Sequence, residues 1–190
     1  MHKKILLALL GIGLLASLSG IASLAVFTDS APVGGNTFST GNVDITTAPT
    51  TALVTFSGMA PGDMVTNSIV VTNAGTLALR YAVSSTTTEN VLAAALDLTI
   101  RTVDVTTPGV PCDNFDGTLL YGAADLGSTA GINVAGNPAQ GSQAGDRTLS
   151  AAANETLCFN VTLPSSATGP TGTTTTATLT FSAEQTVNNP

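Results

Sequence analysis

Residues 157–163 read LCFNVTL, and this strict alternation decides the fold class. The apolar members are Leu157, Phe159, Val161 and Leu163. Because successive side chains of a β-strand point to opposite faces, these four face a core. Cys158, Asn160 and Thr162 therefore face outwards together. The stretch predicts a strand that is buried on one side only.

Similar patterns recur on both sides of this strand. They predict strands at Leu53–Phe56, Val65–Val71, Leu79–Ser84, Leu96–Ile100 and Ala177–Ala183. Pro61 and Gly62 suit the two central positions of a type II turn. Glu89–Leu96 is predicted as a short helix capped by its Thr-rich lead-in. Residues 108–145 are predicted as long loops, with a short strand at Thr118–Tyr121. The pattern indicates an all-β fold, an antiparallel β-sandwich that is jelly-roll-like.

The first 25 residues predict a secretory signal peptide. Two lysines, Lys3 and Lys4, lead into an uncharged apolar run that ends in small residues. Ser23-Leu24-Ala25 is a small-x-small sequence, so cleavage is expected between Ala25 and Val26. The alternative is an uncleaved membrane anchor. The expected organisation is a signal peptide at 1–25, an extended segment at 26–50 and the sandwich domain at 51–190.

Charge and composition exclude several classes of function. Charged residues are only 9% of the chain, against an ordinary quarter, yet 43% are hydrophobic, which argues against disorder. After residue 25 the basic residues are Arg80, Arg101 and Arg147, against all twelve acidic residues. Nucleic-acid binding needs phosphate neutralisation by Lys and Arg, so no nucleic-acid partner is expected. Membrane contact is expected only through the uncleaved signal.

The chain has two cysteines, Cys112 and Cys158. In an oxidising compartment an even number of cysteines predicts a disulfide, and two separate buried thiols are the alternative. Because Cys158 faces outwards, the bond would hold the loop around Cys112 across the outer face of a sheet.

The sequence offers little for catalysis. Its one histidine, His2, precedes the apolar run, which removes triads and HExxH zinc sites from the mature chain. No phosphate-binding loop is present, and no cofactor is predicted. Asp113, Asn114 and Asp116 loosely resemble a calcium loop, but they lack its spacing and its terminal Glu. Local turn formation explains these residues equally well.

Several short motifs along the chain occur in a characteristic order. They are Phe27 and Asp29, then Asn36, Phe38, Gly41 and Asp44, then Pro61-Gly62-Asp63, Asn73-x-Gly75 and Phe181-x-Ala183-Glu184-Gln185. Together they resemble the TasA and camelysin family of exported proteins. The resemblance implies a jelly-roll domain, a dedicated signal peptidase and secretion to the cell surface or biofilm matrix.

The resemblance also implies fibres in which the mature amino-terminal segment of one subunit completes a sheet of the next. The donor would lie within Val26–Ile45, with Val26, Phe27, Val33 and Phe38 as candidate anchors. The expected partner is therefore the chain itself, with or without an accessory matrix subunit. One alternative is a monomeric surface adhesin. Another is a metalloendopeptidase, a label that some family members carry.

Overall fold

A computed structural model describes residues 2–5, 37, 39–51, 58–103, 110–168 and 171–189. The chain divides into two compact units, residues 1–39 and residues 40–190. In the first unit, residues 2–5 are helical. None of the helices in the described ranges is long and apolar enough to cross a membrane. All further features belong to the second unit.

The first sheet of the second unit has five antiparallel strands. In spatial order they are β1 (Ile45–Ala48), β2 (Met64–Asn73), β8 (Asn154–Thr162), β4 (Asp97–Thr102) and β5 (Leu119–Asp125). The strand that contains LCFNVTL is β8, and it occupies the centre. It pairs with β2 along one edge and with β4 along the other.

The second sheet is built around β3 (Leu79–Thr87). One edge of β3 pairs along its whole length with β9 (Ala177–Gln185). The other edge is therefore shared by two short strands, β6 (Ile132–Ala135) and β7 (Arg147–Leu149). The described part of this sheet is thus only three strands wide.

The core lies between the two sheets and confirms the predicted all-β sandwich. Leu157 and Phe159 of β8 are fully buried, as their alternation predicts. They pack in one cluster with Tyr81 and Val83 of β3. Burying an aromatic or aliphatic side chain of this size contributes about 1.5–3 kcal/mol. The same period-2 pattern places Leu98 of β4 in the cluster.

The predicted turn at Pro61-Gly62 is confirmed. The amide of Asp63 donates to the carbonyl of Ala60 at 2.9 Å, which closes a four-residue turn. Gly62 has φ +99°, the left-handed conformation that its position in a type II turn requires. The Asp63 carboxylate also accepts from the Ala60 amide at 2.8 Å. This turn leads directly into β2.

The predicted helix exists but is shorter, and its cap is different. Helix α1 covers Val91–Ala95. Glu89, rather than a threonine, caps it by accepting from the amides of Val91, Leu92 and Ala93 at 2.6, 3.0 and 3.1 Å. Burial opposes ionisation, but these backbone hydrogen bonds outweigh it and lower the pKa of Glu89. A carboxylate can satisfy several unpaired helix amides at once, whereas a hydroxyl satisfies one.

Residues 108–145 contain more strand than predicted. The expected strand at 118–121 extends to Asp125 as β5, and β6 follows it. The pairing of β5 with β4 shifts register twice, and Ala123 has φ +36°. Such bulges break the period-2 alternation, which is why the sequence pattern does not reveal the full strand.

Two further predictions concern residues 26–56, only some of which the structure describes. The predicted strand Leu53–Phe56 lies outside the described residues. Within the predicted extended segment 26–50, residues 45–48 form β1 and pair with β2. The first sheet therefore begins before residue 51. Its first residue, Ile45, also packs against the core.

Candidate functional site

The amino-terminal part of the described domain is attached along an entry seam, which we define as residues 41–44 against residues 74–77. The amide of Asn42 donates to Thr76 Oγ1 at 3.0 Å. The Thr76 amide and hydroxyl both donate to Asn42 Oδ1, at 3.1 and 3.0 Å. The Leu77 amide donates to the Asn42 carbonyl at 3.2 Å, and the Ala74 amide to that of Asp44 at 2.8 Å. The chain is thus fixed just before β1 begins.

Two glycines allow this close approach. A Cβ on Gly75 would lie 2.5 Å from the Asn42 carbonyl oxygen and 2.8 Å from the Asp44 amide nitrogen. A Cβ on Gly41 would lie 2.5 Å from the side chain of Leu77. Backbone contacts that short cannot accommodate a side chain, so Gly75 is required by space rather than by its backbone angles.

Asn73 holds the loop on which the seam rests. This asparagine is fully buried. Its side-chain amide lies within 2.8–3.2 Å of the carbonyls of Leu77, Leu149 and Ser150, and its Oδ1 accepts from the Gly75 amide at 2.9 Å. The Asn73-x-Gly75 motif therefore links the β2–β3 loop to the turn after β7. This motif was recognised only through the family resemblance, because nothing in its sequence pattern reveals the buried amide.

Strand β9 is the second prominent feature. Among the described residues β9 pairs with β3 alone, so its other edge has no described strand beside it. Its inward-facing residues are only partly buried and pack at the margin of the core: Ala177, Leu179, Phe181 and Ala183. Phe181 contacts Tyr81, with ring centroids 6.1 Å apart.

The two sheets differ in width on the side of β9. Tyr81 of β3 reaches Glu155 of β8, so these central strands face each other. Strand β6 lies near β5, at the opposite side of the sandwich. Strand β9 must therefore lie on the side of β2 and β1. In the described structure five strands face three, and the edge of β9 is one of the positions where an added strand could pair.

The charged groups of the second sheet bind one another. Arg80 Nε donates to Glu184 at 2.5 Å, and its guanidinium also donates to the Asn189 carbonyl. The Gly141 amide and the Asn189 side chain also donate to the Glu184 carboxylate, at 3.0 and 2.8 Å. Hydrogen bonding by Arg80 lowers the pKa of Glu184, against the opposing effect of burial.

A second charged cluster joins the two sheets. Arg147 forms a salt bridge with Glu155, and the Tyr81 hydroxyl donates to Glu155 Oε1 at 2.9 Å. The hydrogen bonds that Arg147 donates to Glu155 raise the pKa of Arg147. Burial, together with the charge of Glu155, raises the pKa of the Tyr81 phenol. This cluster holds β8 against the second sheet, and its polar groups are hydrogen-bonded to one another.

A shallow pocket of about 140 Å³ lies between β9 and the β6–β7 loop. Its charged lining residues are Arg80, Asp146 and Glu184. The Asp146 carboxylate accepts from the amides of Asn137 and Gln143 at 2.9 and 2.8 Å. Since the charged groups around the pocket already have partners, its walls offer no unpaired charge to a ligand.

The structure contains the disulfide between Cys112 and Cys158, with Cα atoms 5.6 Å apart. Cys158 lies on the outer face of β8, as predicted, but is only 1% exposed because the Cys112 loop covers it. The same loop is held at Arg101, which donates to the Gly117 carbonyl at 2.8 Å and lies 5.6 Å from the Phe115 ring. Cys158 and Arg101 are register partners, so the two attachments are adjacent.

The calcium alternative gains no support from this loop. Asp113 Oδ1 accepts from the amide of Asn114 at 3.0 Å, which is a local turn interaction. Within the described residues, no three His, Cys, Asp or Glu side chains gather in a group that could hold a metal ion.

The predicted cleavage site and donor anchors lie outside the described residues. They are Ala25, Val26, Phe27, Val33 and Phe38. The structure therefore describes where this segment joins the sandwich and which edge could receive it, and it leaves the segment's own pairing as a prediction.

These features define an antiparallel β-sandwich with a fixed amino-terminal entry and an edge strand that has no described neighbour on one side. The chain matches the family described as camelysin metallo-endopeptidase over residues 1–100, and it belongs to that family. This confirms the predicted membership of the TasA and camelysin group. Comparison with curated proteins finds no match.

The family description implies a metal-dependent peptidase, whose metal would need His, Cys or carboxylate ligands. The one histidine is His2, and both cysteines are joined in the disulfide. The chain has three glutamates, and each already accepts hydrogen bonds: Glu89 from α1, Glu155 from Tyr81 and Glu184 from Arg80. A zinc peptidase needs His or carboxylate ligands and a free general base. Because no three His, Cys, Asp or Glu side chains gather among the described residues, these residues do not fit such a centre.

Proposed function

We propose that this protein is an exported structural subunit of extracellular or cell-surface fibres, which assemble when one subunit donates its mature amino-terminal segment to the next. The basic start, apolar run and small-x-small sequence before Val26 support export. Removal of the signal would create the new amino terminus. Assembly would then begin only outside the cell.

The edge of β9 that has no described strand beside it is the observation that carries the proposal. An edge strand presents unpaired N–H and C=O groups, and a donated strand gains main-chain hydrogen bonds there. Natural proteins protect such edges with lysine, proline or bulges. Strand β9 reads ATLTFSAEQ, without lysine or proline, and pairs with β3 in unbroken register. Its partly buried inner row would gain cover from the donor.

The lengths of donor and acceptor are compatible. Strand β9 has nine residues and spans about 30 Å. Residues 26–38, fully extended, would span about 43 Å at 3.3 Å per residue. The donor is therefore long enough to cover the whole edge and still reach its own domain at Gly41.

Donation from one copy to the next is a head-to-tail contact. Such a contact does not use the same surface on both subunits, so it need not close into a dimer. If the rotation between neighbours does not close a ring, the assembly grows into a filament. The product would be a homopolymer, to which an accessory matrix subunit could be added at an end.

Electron microscopy of two purified chains tests this function. The mature protein starting at Val26 is expected to form filaments, and a variant without Val26–Val33 is expected to remain monomeric. Circular dichroism should show the same β-sandwich spectrum for both, since the described sandwich begins at residue 40. Undiminished filaments from the shortened chain would contradict strand donation.

A further inference from the structure

We propose that the entry seam is a positioning device for assembly: Asn42 and Thr76 fix the direction in which the amino-terminal segment leaves the sandwich. This inference rests on the proposed strand donation and adds the residues that control it. It concerns the base of the donor, where the described structure is complete.

The seam is densely hydrogen-bonded although it lies at the surface. Residues 39–44 are all exposed, and so is Thr76. Asn42 and Thr76 nevertheless share three hydrogen bonds that involve a side chain, and the Asn42 carbonyl accepts from the amides of Thr76 and Leu77 at 3.1 and 3.2 Å. Hydrogen bonds between exposed groups replace bonds to water and add little to stability. Their main consequence is therefore geometric.

The packing beneath the seam is equally restrictive. The positions that side chains would occupy on Gly41 and Gly75 are filled by Leu77 and by the backbone of Asn42 and Asp44. The loop under them is held by the buried Asn73 amide. The Leu77 side chain and the loop held by Asn73 thus leave the backbone one path between Gly41 and Asp44.

A fixed path matters for a donor strand. Every hydrogen bond that the donor makes to a neighbouring subunit depends on where its base is held. If the base were free, each addition would have to restrict more conformations, and successive subunits would differ in orientation. A rigid base lowers that cost and gives neighbouring subunits one geometry.

The hydrogen-bond pattern allows a matched set of variants. Asn42 Oδ1 is an acceptor only, so Asn42→Asp retains its acceptors, whereas Asn42→Ala removes them. Thr76→Ser keeps the hydroxyl, and Thr76→Val removes it with nearly the same volume. Asn160 and Thr66 form a similar pair on the sheet surface, with Asn160 Nδ2 donating to Thr66 Oγ1 at 2.7 Å. Asn160→Ala with Thr66→Val removes this bond and the one that Thr162 donates to Asn160 Oδ1, so it is the control for lost surface hydrogen bonds.

The first measurement is the critical concentration and straightness of filaments grown from the mature chain. Asn42→Ala with Thr76→Val is expected to raise the critical concentration about tenfold, because each addition must then also restrict the conformations of a loosened base. Its filaments should also bend more. Asn42→Asp, Thr76→Ser and the control pair should assemble like the wild type. Normal filaments from the Asn42→Ala, Thr76→Val variant would overturn the proposal.

The second measurement separates this inference from the proposed function. Amide hydrogen exchange of Thr76 and Leu77 in the unassembled protein should be slow, because both donate to Asn42, and the double variant should speed up exchange at Thr76. Fast exchange in the wild type would show that the entry seam is not rigid, and it would overturn the proposal whether or not filaments form. Slow exchange in a chain that makes no filaments would instead contradict strand donation. A fall in unfolding midpoint larger than that of the control pair would show a merely structural role and overturn the inference.

Discussion

Glu184 connects three parts of the molecule through one carboxylate. It binds Arg80 of β3, the Gly141 amide of the β6–β7 loop and the Asn189 side chain near the described carboxyl-terminal end. These donors favour the charged form, so the pKa of Glu184 is lowered in the folded protein. The end of β9 is thereby held against its own domain.

This interaction predicts acid sensitivity. Because the folded pKa of Glu184 lies below its unfolded value, its contribution to stability is present above about pH 4.5 and is lost as pH falls through the folded pKa. Glu184→Gln should therefore melt at a lower temperature than wild type at pH 7, and the difference should shrink below pH 4. Thermal melts between pH 3 and 7 measure this. A difference that stays constant across the range would contradict the account.

Some functional residues could be predicted from the sequence, and others could not. The outward direction of Cys158 follows from the alternation of LCFNVTL, and the disulfide in the structure agrees with it. Asn73 and Glu89 could not be assigned. Their roles depend on backbone groups that only the folded turns bring together, from Leu149 and Ser150 in one case and from the start of α1 in the other.

Among the elements, alternation was informative wherever strands are regular. Strands β2, β4, β8 and β9 alternate apolar and polar residues over much of their length, so their existence was predictable. Strand β5 was recognised only in part, because its bulges and the tight position of Gly122 interrupt the period. Such irregularity at β5, the far edge of the first sheet, also limits pairing there with another chain. By contrast, β9 pairs with β3 in unbroken register.

The edge of β9 can be blocked with charges. Thr178 and Thr180 are exposed on its outer face, so Thr178→Lys with Thr180→Lys should disfavour addition of a strand while changing the free energy of unfolding by about 0.5 kcal/mol or less. Filament elongation followed by light scattering should fall strongly. Thr66→Lys, at an exposed position of β2 in the other sheet, is the control and should elongate normally. Equal elongation by all three proteins would argue against β9 as the acceptor.

For the whole molecule, the disulfide joins a long surface loop to the central strand of the first sheet. The bond closes a loop of 46 residues, which the chain-entropy model values at about 4 kcal/mol. Cys112→Ser with Cys158→Ser should lower the free energy of unfolding by about that amount in urea titrations. Wild-type protein unfolded under reducing conditions is the control and should match the variant. An unchanged unfolding midpoint would show that the loop is held by other contacts, such as those of Arg101.

The sandwich also explains what kind of work this molecule can do. Its arginines and glutamates stabilise the fold, and the described residues supply no metal-ligand group. The described residues also include an edge strand, β9, and an amino-terminal stretch held at the entry seam. Both would take part in the assembly proposed above.

Complementation by a free peptide tests strand donation most directly. A peptide of residues 26–38, VFTDSAPVGGNTF, would be added to a shortened chain that begins at Ser39 and to the mature protein. The account predicts saturable binding that raises the melting temperature of the shortened chain, and peptide-dependent inhibition of filament growth by the mature protein. A peptide of the same composition in scrambled order should do neither. No binding, together with unimpeded filament growth in excess peptide, would contradict the account.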